Sequence, residues 1–213
     1  MTRAKICGIN SPAAAVAAAA GGAAHIGLVF YPPSPRAVAP EFAAELARLV
    51  PERVGRVGLF VDPTDDELQS VLSRVPLTLL QLHGRESPER IAAIKRRFGL
   101  KLMKAFGVAA PADLDAAAPY FGVADWLLFD AKPPSAPGAL PGGNARPFDW
   151  RMLSGRNWPL PWMLSGGLTA GTLAEAVRIT GAPVVDVSSG VEDRPGVKNP
   201  DRIRAFLETA ARL

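Results

Sequence analysis

Only one cysteine, Cys7, occurs in 213 residues, so no intramolecular disulfide can form and a reducing compartment is expected. The chain has just two histidines, His25 and His83, and neither falls in an HxH or HExxH spacing, so no metal site is expected. Walker and dinucleotide fingerprints are absent as well, and no cofactor is implied. Aromatic residues make up 7%, and the net charge of +4 is spread along the chain without a basic cluster. That pattern argues against nucleic acid as a partner and leaves phosphate or carboxylate ligands as the use for a mild positive excess. No uninterrupted apolar stretch is long enough to span a bilayer, so no membrane association is expected. Arg3 and Lys5 ahead of an alanine-rich run resemble a secretory leader, but Pro12 and Gly21-Gly22 interrupt the run. A cytoplasmic location follows as the expectation, and no oligomeric partner is evident.

What the chain does have is alternation. Short apolar runs at 4–7, 25–30, 55–61, 77–82, 100–106, 125–130, 161–165 and 184–188 read as buried strands. Between them, 40–49, 65–74, 88–97, 169–180 and 200–213 carry apolar residues at three- and four-residue spacing, as amphipathic helices do. Ser11-Pro12, Asp62-Pro63-Thr64, Ser87-Pro88 and Asn199-Pro200 each place a capping side chain at a helix start. Eight strands with intervening helices predict one α/β domain over 1–213, a (β/α)8 TIM barrel, rather than an open doubly wound sheet. Three glycine-rich turns lie in the last third: Leu140-Pro141-Gly142-Gly143, Leu164-Ser165-Gly166-Gly167-Leu168 and Val187-Ser188-Ser189-Gly190. The last two follow predicted strands seven and eight, where such barrels commonly bind phosphate, and each precedes a helix-like stretch. The long Pro- and Gly-rich connection 131–147 reads as functional.

Active-site side chains of such a barrel sit at the C-terminal strand ends. Those positions hold Cys7, Phe30 with the loop to Arg36, Asp62, His83, Lys104, Asp130, Ser165 and Asp186 with Ser188-Ser189. Cys7, close to basic side chains, suits a base or nucleophile with a lowered pKa; a small buried hydrophobe is the alternative. Asp130 follows four apolar residues, an environment that raises a carboxyl pKa toward general-acid work; a cap beside Lys132 is the alternative. Arg36, on a loop stiffened by three prolines, suits bidentate recognition of a carboxylate, against a solvated arginine. His83 reads as a substrate contact or a satisfied structural histidine. Asp186 alternates into the lumen toward an ionic partner or a ligand amine.

The assembled motifs resemble the phosphoribosylanthranilate isomerase family of tryptophan biosynthesis. The matching residues are Lys5-Ile6-Cys7-Gly8-Ile9, Gly27-Leu28-Val29-Phe30-Tyr31 with Ser34-Pro35-Arg36, Val57-Gly58-Leu59-Phe60-Val61, Gln81-Leu82-His83-Gly84, Leu128-Phe129-Asp130, Gly142-Gly143 with Phe148-Asp149-Trp150, Leu164-Ser165-Gly166-Gly167-Leu168 and Asp186-Val187-Ser188-Ser189-Gly190-Val191-Glu192. The resemblance implies a cofactor-free Amadori rearrangement of a phosphorylated small molecule, with Asp130 as general acid and Cys7 as general base. It implies Arg36 on the anthranilate carboxylate, Asp186 near the bridging amine, and Gly143, Gly167, Ser188 and Ser189 on the phosphate. Two departures stand out. The sixth loop reads Gly142-Gly143-Asn144-Ala145, where the family commonly has Gly-Gly-Thr-Gly or Gly-Gly-Ser-Gly, and Asn10 replaces threonine as an expected cap of the next helix. Competing readings are another phosphosugar isomerase on the same barrel, whose histidine-pathway members carry an aspartate where this chain has Cys7, and a non-catalytic phosphometabolite-binding barrel.

Overall fold

The computed structural model describes residues 1–133, 142 and 147–213. Eight parallel strands close on themselves in chain order: β1 (Arg3–Cys7), β2 (His25–Val29), β3 (Gly55–Phe60), β4 (Leu79–Leu82), β5 (Lys101–Val108), β6 (Trp126–Ala131), β7 (Trp162–Leu164) and β8 (Val184–Val187). Seven α-helices stand among the described residues: α1 (Pro12–Ala20), α2 (Pro40–Arg48), α3 (Asp65–Leu72), α4 (Pro88–Phe98), α5 (Pro111–Asp115), α6 (Leu173–Thr180) and α7 (Pro200–Ala211). The (β/α)8 reading holds, with one variation: before β7 the chain makes a 3-10 turn, Trp150–Leu153, in place of a helix.

The expected caps form, with Ser11, Thr64, Ser87 and Asn199 accepting backbone N–H groups of the first turns of α1, α3, α4 and α7. Asn10 does not cap: its amide donates to the Gly196 carbonyl at 2.8 Å. The alanine run that resembled a leader is α1, with Ala14, Ala15, Ala17 and Ala18 buried against the barrel. No helix among the described residues is long and apolar enough to cross a membrane.

Side chains alternate along each strand, so one set faces the helices and the other the lumen. Outward, residues such as Ile6, Ile26, Leu80, Leu102, Phe129 and Val185 build the main core with the helices. Inward, Val57, Leu79, Met103, Ala105, Leu128, Met163 and Val184 form a separate apolar cluster. One pleat further along the chain, the same inward rows carry Cys7, Gln81, Asp130, Ser165 and Asp186, so the lumen is apolar below and polar at the C-terminal mouth.

After β8 a 3-10 turn, Ser189–Val191, leads into an antiparallel hairpin, β9 (Glu192–Arg194) and β10 (Val197–Lys198), before α7. The sequence reading placed the next helix at 200–213, as α7 confirms, and did not anticipate the hairpin, which is too short to show a strand pattern. Gly190 sits so close to the Leu168 carbonyl that a Cβ there would collide with it. Gly190→Ala is therefore expected to destabilise the fold by about 1–3 kcal/mol, the usual scale of overpacking. A thermal melt checks this, and an unchanged midpoint would show that the two loops have room to separate.

Candidate active site

The mouth of the barrel is a cleft of about 740 Å3. Cys7, Arg36, His83, Asp130, Asp186, Gly167, Ser188 and Ser189, all candidates from sequence, line this one cleft. Gly143, the remaining candidate, lies outside the described residues, as do Asn144 and Ala145.

Strand register assembles the first group. Lys5 pairs across the ladder with Asp186, and Cys7 with Gly27. The Lys5 ammonium is fully buried and donates to Asp186 Oδ1 at 2.9 Å and to Gln81 Oε1 at 2.8 Å. Ser165 Oγ donates to the other Asp186 oxygen at 3.3 Å. Burial opposes a charged lysine, but Asp186 and Cys7 outweigh it and hold the Lys5 pKa above its ordinary value. Gly27 makes the room: a Cβ there would lie 2.9 Å from Cys7 Sγ and 3.2 Å from Lys5 Cε. The Cys7 thiol, expected to be lowered, is instead raised above 9.0 because burial outweighs the pull of Lys5. Basic neighbours were legible in the sequence; the depth of the pocket was not.

Asp130, one residue before the end of β6, has its carboxyl buried, and Oδ1 accepts the Ala131 N–H at 2.8 Å. Burial, reinforced by the negative charge of Asp186, pushes its pKa up to about 7, as a general acid requires. Beside it, His83 Nε2 stands 3.8 Å from Asp130 Oδ2, and burial with the charges of Lys104 and Lys5 lowers the His83 pKa to about 3. The imidazole is neutral at physiological pH.

Arg36 is held by a carboxylate the sequence reading did not single out. Its Nε and Nη2 donate to Glu192 Oε1 and Oε2, each at 2.8 Å, and Lys198 Nζ donates to Glu192 Oε1 at 2.7 Å. The β9–β10 register sets Glu192 opposite Lys198. Two basic side chains share one carboxylate at this side of the cleft, a positive excess suited to an anionic ligand, and burial lowers the Lys198 pKa. Glu192→Gln would leave two buried cations without their counter-charge, a loss of roughly 3 kcal/mol at the low end for breaking a buried pair. Burial opposes the Glu192 carboxylate, but Arg36 and Lys198 hold its pKa below the ordinary 4.5. Its contribution is therefore present above that value and is lost as pH falls through the lowered native value. Melting curves from neutral to acid pH check both points: the wild type should lose stability on acidification, and the gap to the glutamine variant should narrow. A constant gap would place the pair's energy elsewhere.

At the far side, Gly166 and Gly167 take φ of +91° and +65°, conformations open to glycine, in the turn that follows β7. Lys198 Nζ also donates to the Ser188 carbonyl at 2.9 Å, fixing the second turn. Gly142 lines the cleft as well, alongside both turns.

Three strand-end candidates do not enter the cleft. β5 runs on to Val108, and its inward residues are Met103 and Ala105, so Lys104 faces outward to Glu86 at 2.7 Å. Asp62 lies past the end of β3 at φ +48° and accepts the Arg85 N–H. Phe30 stacks on Phe60, leaving Val29 and Tyr31 at the cleft.

This geometry coincides with a family. The model describing N-(5'-phosphoribosyl)anthranilate (PRA) isomerase matches residues 4–209. The N-(5'-phosphoribosyl)anthranilate isomerase of Rhodospirillum centenum is 63% identical over 209 residues, 98% of each chain. The solved phosphoribosyl anthranilate isomerase of Thermotoga maritima superposes with a TM-score of 0.89 at 36% identity, covering 100% of both chains. A PRA isomerase solved in complex with reduced 1-(o-carboxyphenylamino)-1-deoxyribulose 5-phosphate gives a TM-score of 0.86 at 34% identity, again over 100% of both chains.

Proposed function

The chain belongs to the N-(5'-phosphoribosyl)anthranilate isomerase family, and on that premise we propose how its cleft carries out the chemistry. It is an isomerase of tryptophan biosynthesis that converts N-(5'-phosphoribosyl)anthranilate to 1-(2-carboxyphenylamino)-1-deoxyribulose 5-phosphate by an Amadori rearrangement. Asp130, as general acid, gives its proton to the furanose oxygen; the C1'–O bond breaks, and the anilino nitrogen supplies the electron pair for a protonated Schiff base. Cys7, as thiolate, removes the proton from C2', and the electrons of that C–H bond form the enolamine. Protonation at C1', with loss of the proton from the 2'-hydroxyl, then gives the ketone. Hydrogen moves from C2' to C1' with no net oxidation, so the scheme calls on no cofactor.

The single observation that carries this reading is that Cys7, ending β1, and Asp130, close to the end of β6, line the same cleft. The raised Asp130 pKa supports the acid role. The net positive Arg36–Glu192–Lys198 cluster suits the anthranilate carboxylate, with Arg36 its contact. Asp186 accepts from the bridging amine, and His83 faces the sugar. The phosphate rests on backbone groups of Gly143, Gly167, Ser188 and Ser189, remote binding that orients the ring between acid and base. The cytoplasm is the compartment this reading assigns. The test is a fluorescence assay of freshly made phosphoribosylanthranilate with purified protein and with single variants at Asp130 and Cys7. Turnover by the wild type that collapses in both variants supports the roles, and turnover retained in either removes that residue from its role.

A further inference from the structure

The geometry points to a tautomer lock: Lys5 and Gln81 are positioning residues that hold His83 as a neutral Nε2–H donor directed at Asp130. The inference deepens the acid role proposed for Asp130 and rests on that reading for its catalytic consequence.

The chain of hydrogen bonds fixes its own polarity. An ammonium has no acceptor, so the Gln81 atom 2.8 Å from Lys5 Nζ must be the amide oxygen. That turns the Gln81 NH2 group toward His83 Nδ1, 3.2 Å away. An amide nitrogen only donates, so Nδ1 must accept, and the single proton of the neutral ring sits on Nε2. Asp186, on the other side of Lys5 at 2.9 Å, anchors the start of the relay. Gln81 is fully buried, so water does not compete for its amide.

His83 Nε2 is buried and makes no hydrogen bond among the described residues, yet it stands 3.8 Å from Asp130 Oδ2. A buried donor without an acceptor is costly and marks a group kept for a ligand or a transient state. Ala131 N–H already occupies Oδ1, which leaves Oδ2 as the oxygen that carries the transferable proton. With hydrogen on Nε2, the ring cannot accept that proton, so the acid stays turned toward the cleft and away from an internal hydrogen bond with His83. Once Asp130 has given its proton to the sugar oxygen, Oδ2 is a carboxylate oxygen. The same Nε2–H then stabilises it, and His83 keeps its own proton throughout. The opposite tautomer would reverse both effects, presenting a lone pair that draws the proton out of reach of substrate.

With only two histidines in the chain, the ring state is directly readable. Long-range proton–nitrogen correlation on 15N-histidine-labelled, substrate-free protein at neutral pH, assigned through His83→Gln, should give the neutral Nε2–H pattern for His83. A neutral Nδ1–H pattern, or an imidazolium, overturns the inference outright, whether or not any variant folds. In Gln81→Met the pattern should move toward Nδ1–H, and kcat should fall by about tenfold or more, the scale on which the partner of a functional histidine acts, with KM little changed. An unmoved tautomer in that variant would overturn the relay even if activity fell. The spectrum is taken without substrate, so it stands apart from the acid role itself, which the turnover of Asp130→Asn decides.

Discussion

Asp130→Asn is expected to lower kcat by about 10²- to 10⁴-fold, the usual contribution of a positioned general acid, with KM little changed. Asparagine keeps the size and one oxygen for the Ala131 N–H but has no proton to give at Oδ2. The pH profile makes the assignment sharper than the rate alone. Asp130 must be protonated with a pKa of about 7, while Cys7 must be ionised with a pKa raised above 9.0. The productive form therefore holds its proton on the stronger acid and is a minor species at every pH. For such a pair, kcat/KM rises up to about pH 7, stays flat, and falls only above the thiol value, with both limbs belonging to the coupled pair. Removing the acid should abolish the plateau, so that the residual activity of Asp130→Asn climbs until Cys7 is ionised. A plateau retained in the asparagine variant would assign the neutral limb to another group.

Cys7→Ser carries the other large effect, a fall in kcat again of about 10²- to 10⁴-fold. A hydroxyl in place of the thiol fits the space left by Gly27 but ionises far less readily, so the base is lost with little change in packing. The residual profile should be the mirror image, declining as pH rises through about 7, where Asp130 loses the proton it must donate. The wild-type thiol, only 5% exposed and raised by burial, should also resist alkylation at neutral pH. Rapid modification at pH 7 would show a thiolate far more available than this pocket permits, and would remove the plateau argument with it.

Much of this was legible before any coordinates. The eight apolar runs locate all eight strands because a parallel barrel buries both strand faces, and the cap residues Ser11, Thr64, Ser87 and Asn199 work as read. Helix α1 gave no periodic signal because alanine fills both its faces, and α5 is a single turn. In the site, Cys7, Asp130 and Asp186 could be found from strand ends and alternation alone. Lys104 was misplaced because the alternation along β5 was not followed: with Met103 and Ala105 inward, Lys104 turns outward. Glu192, Lys198 and Gln81 escaped notice as site residues for another reason. Glu192 and Gln81 depend on partners 156 and 76 residues away, distances over which local pattern carries no information, and Lys198 meets Glu192 across a hairpin too short to show a strand pattern.

The lumen's division into two floors has a consequence for how this barrel can change. Val57, Leu79, Met103 and Val184 offer the mouth no polar atom, and the groups that meet a ligand do not form that lower cluster. Durability and reactivity are thus set by different residues of the same strands. A lineage starting from this scaffold is free to trade one chemistry for another by exchanging the upstairs side chains, while the foundation that keeps the staves together goes untouched.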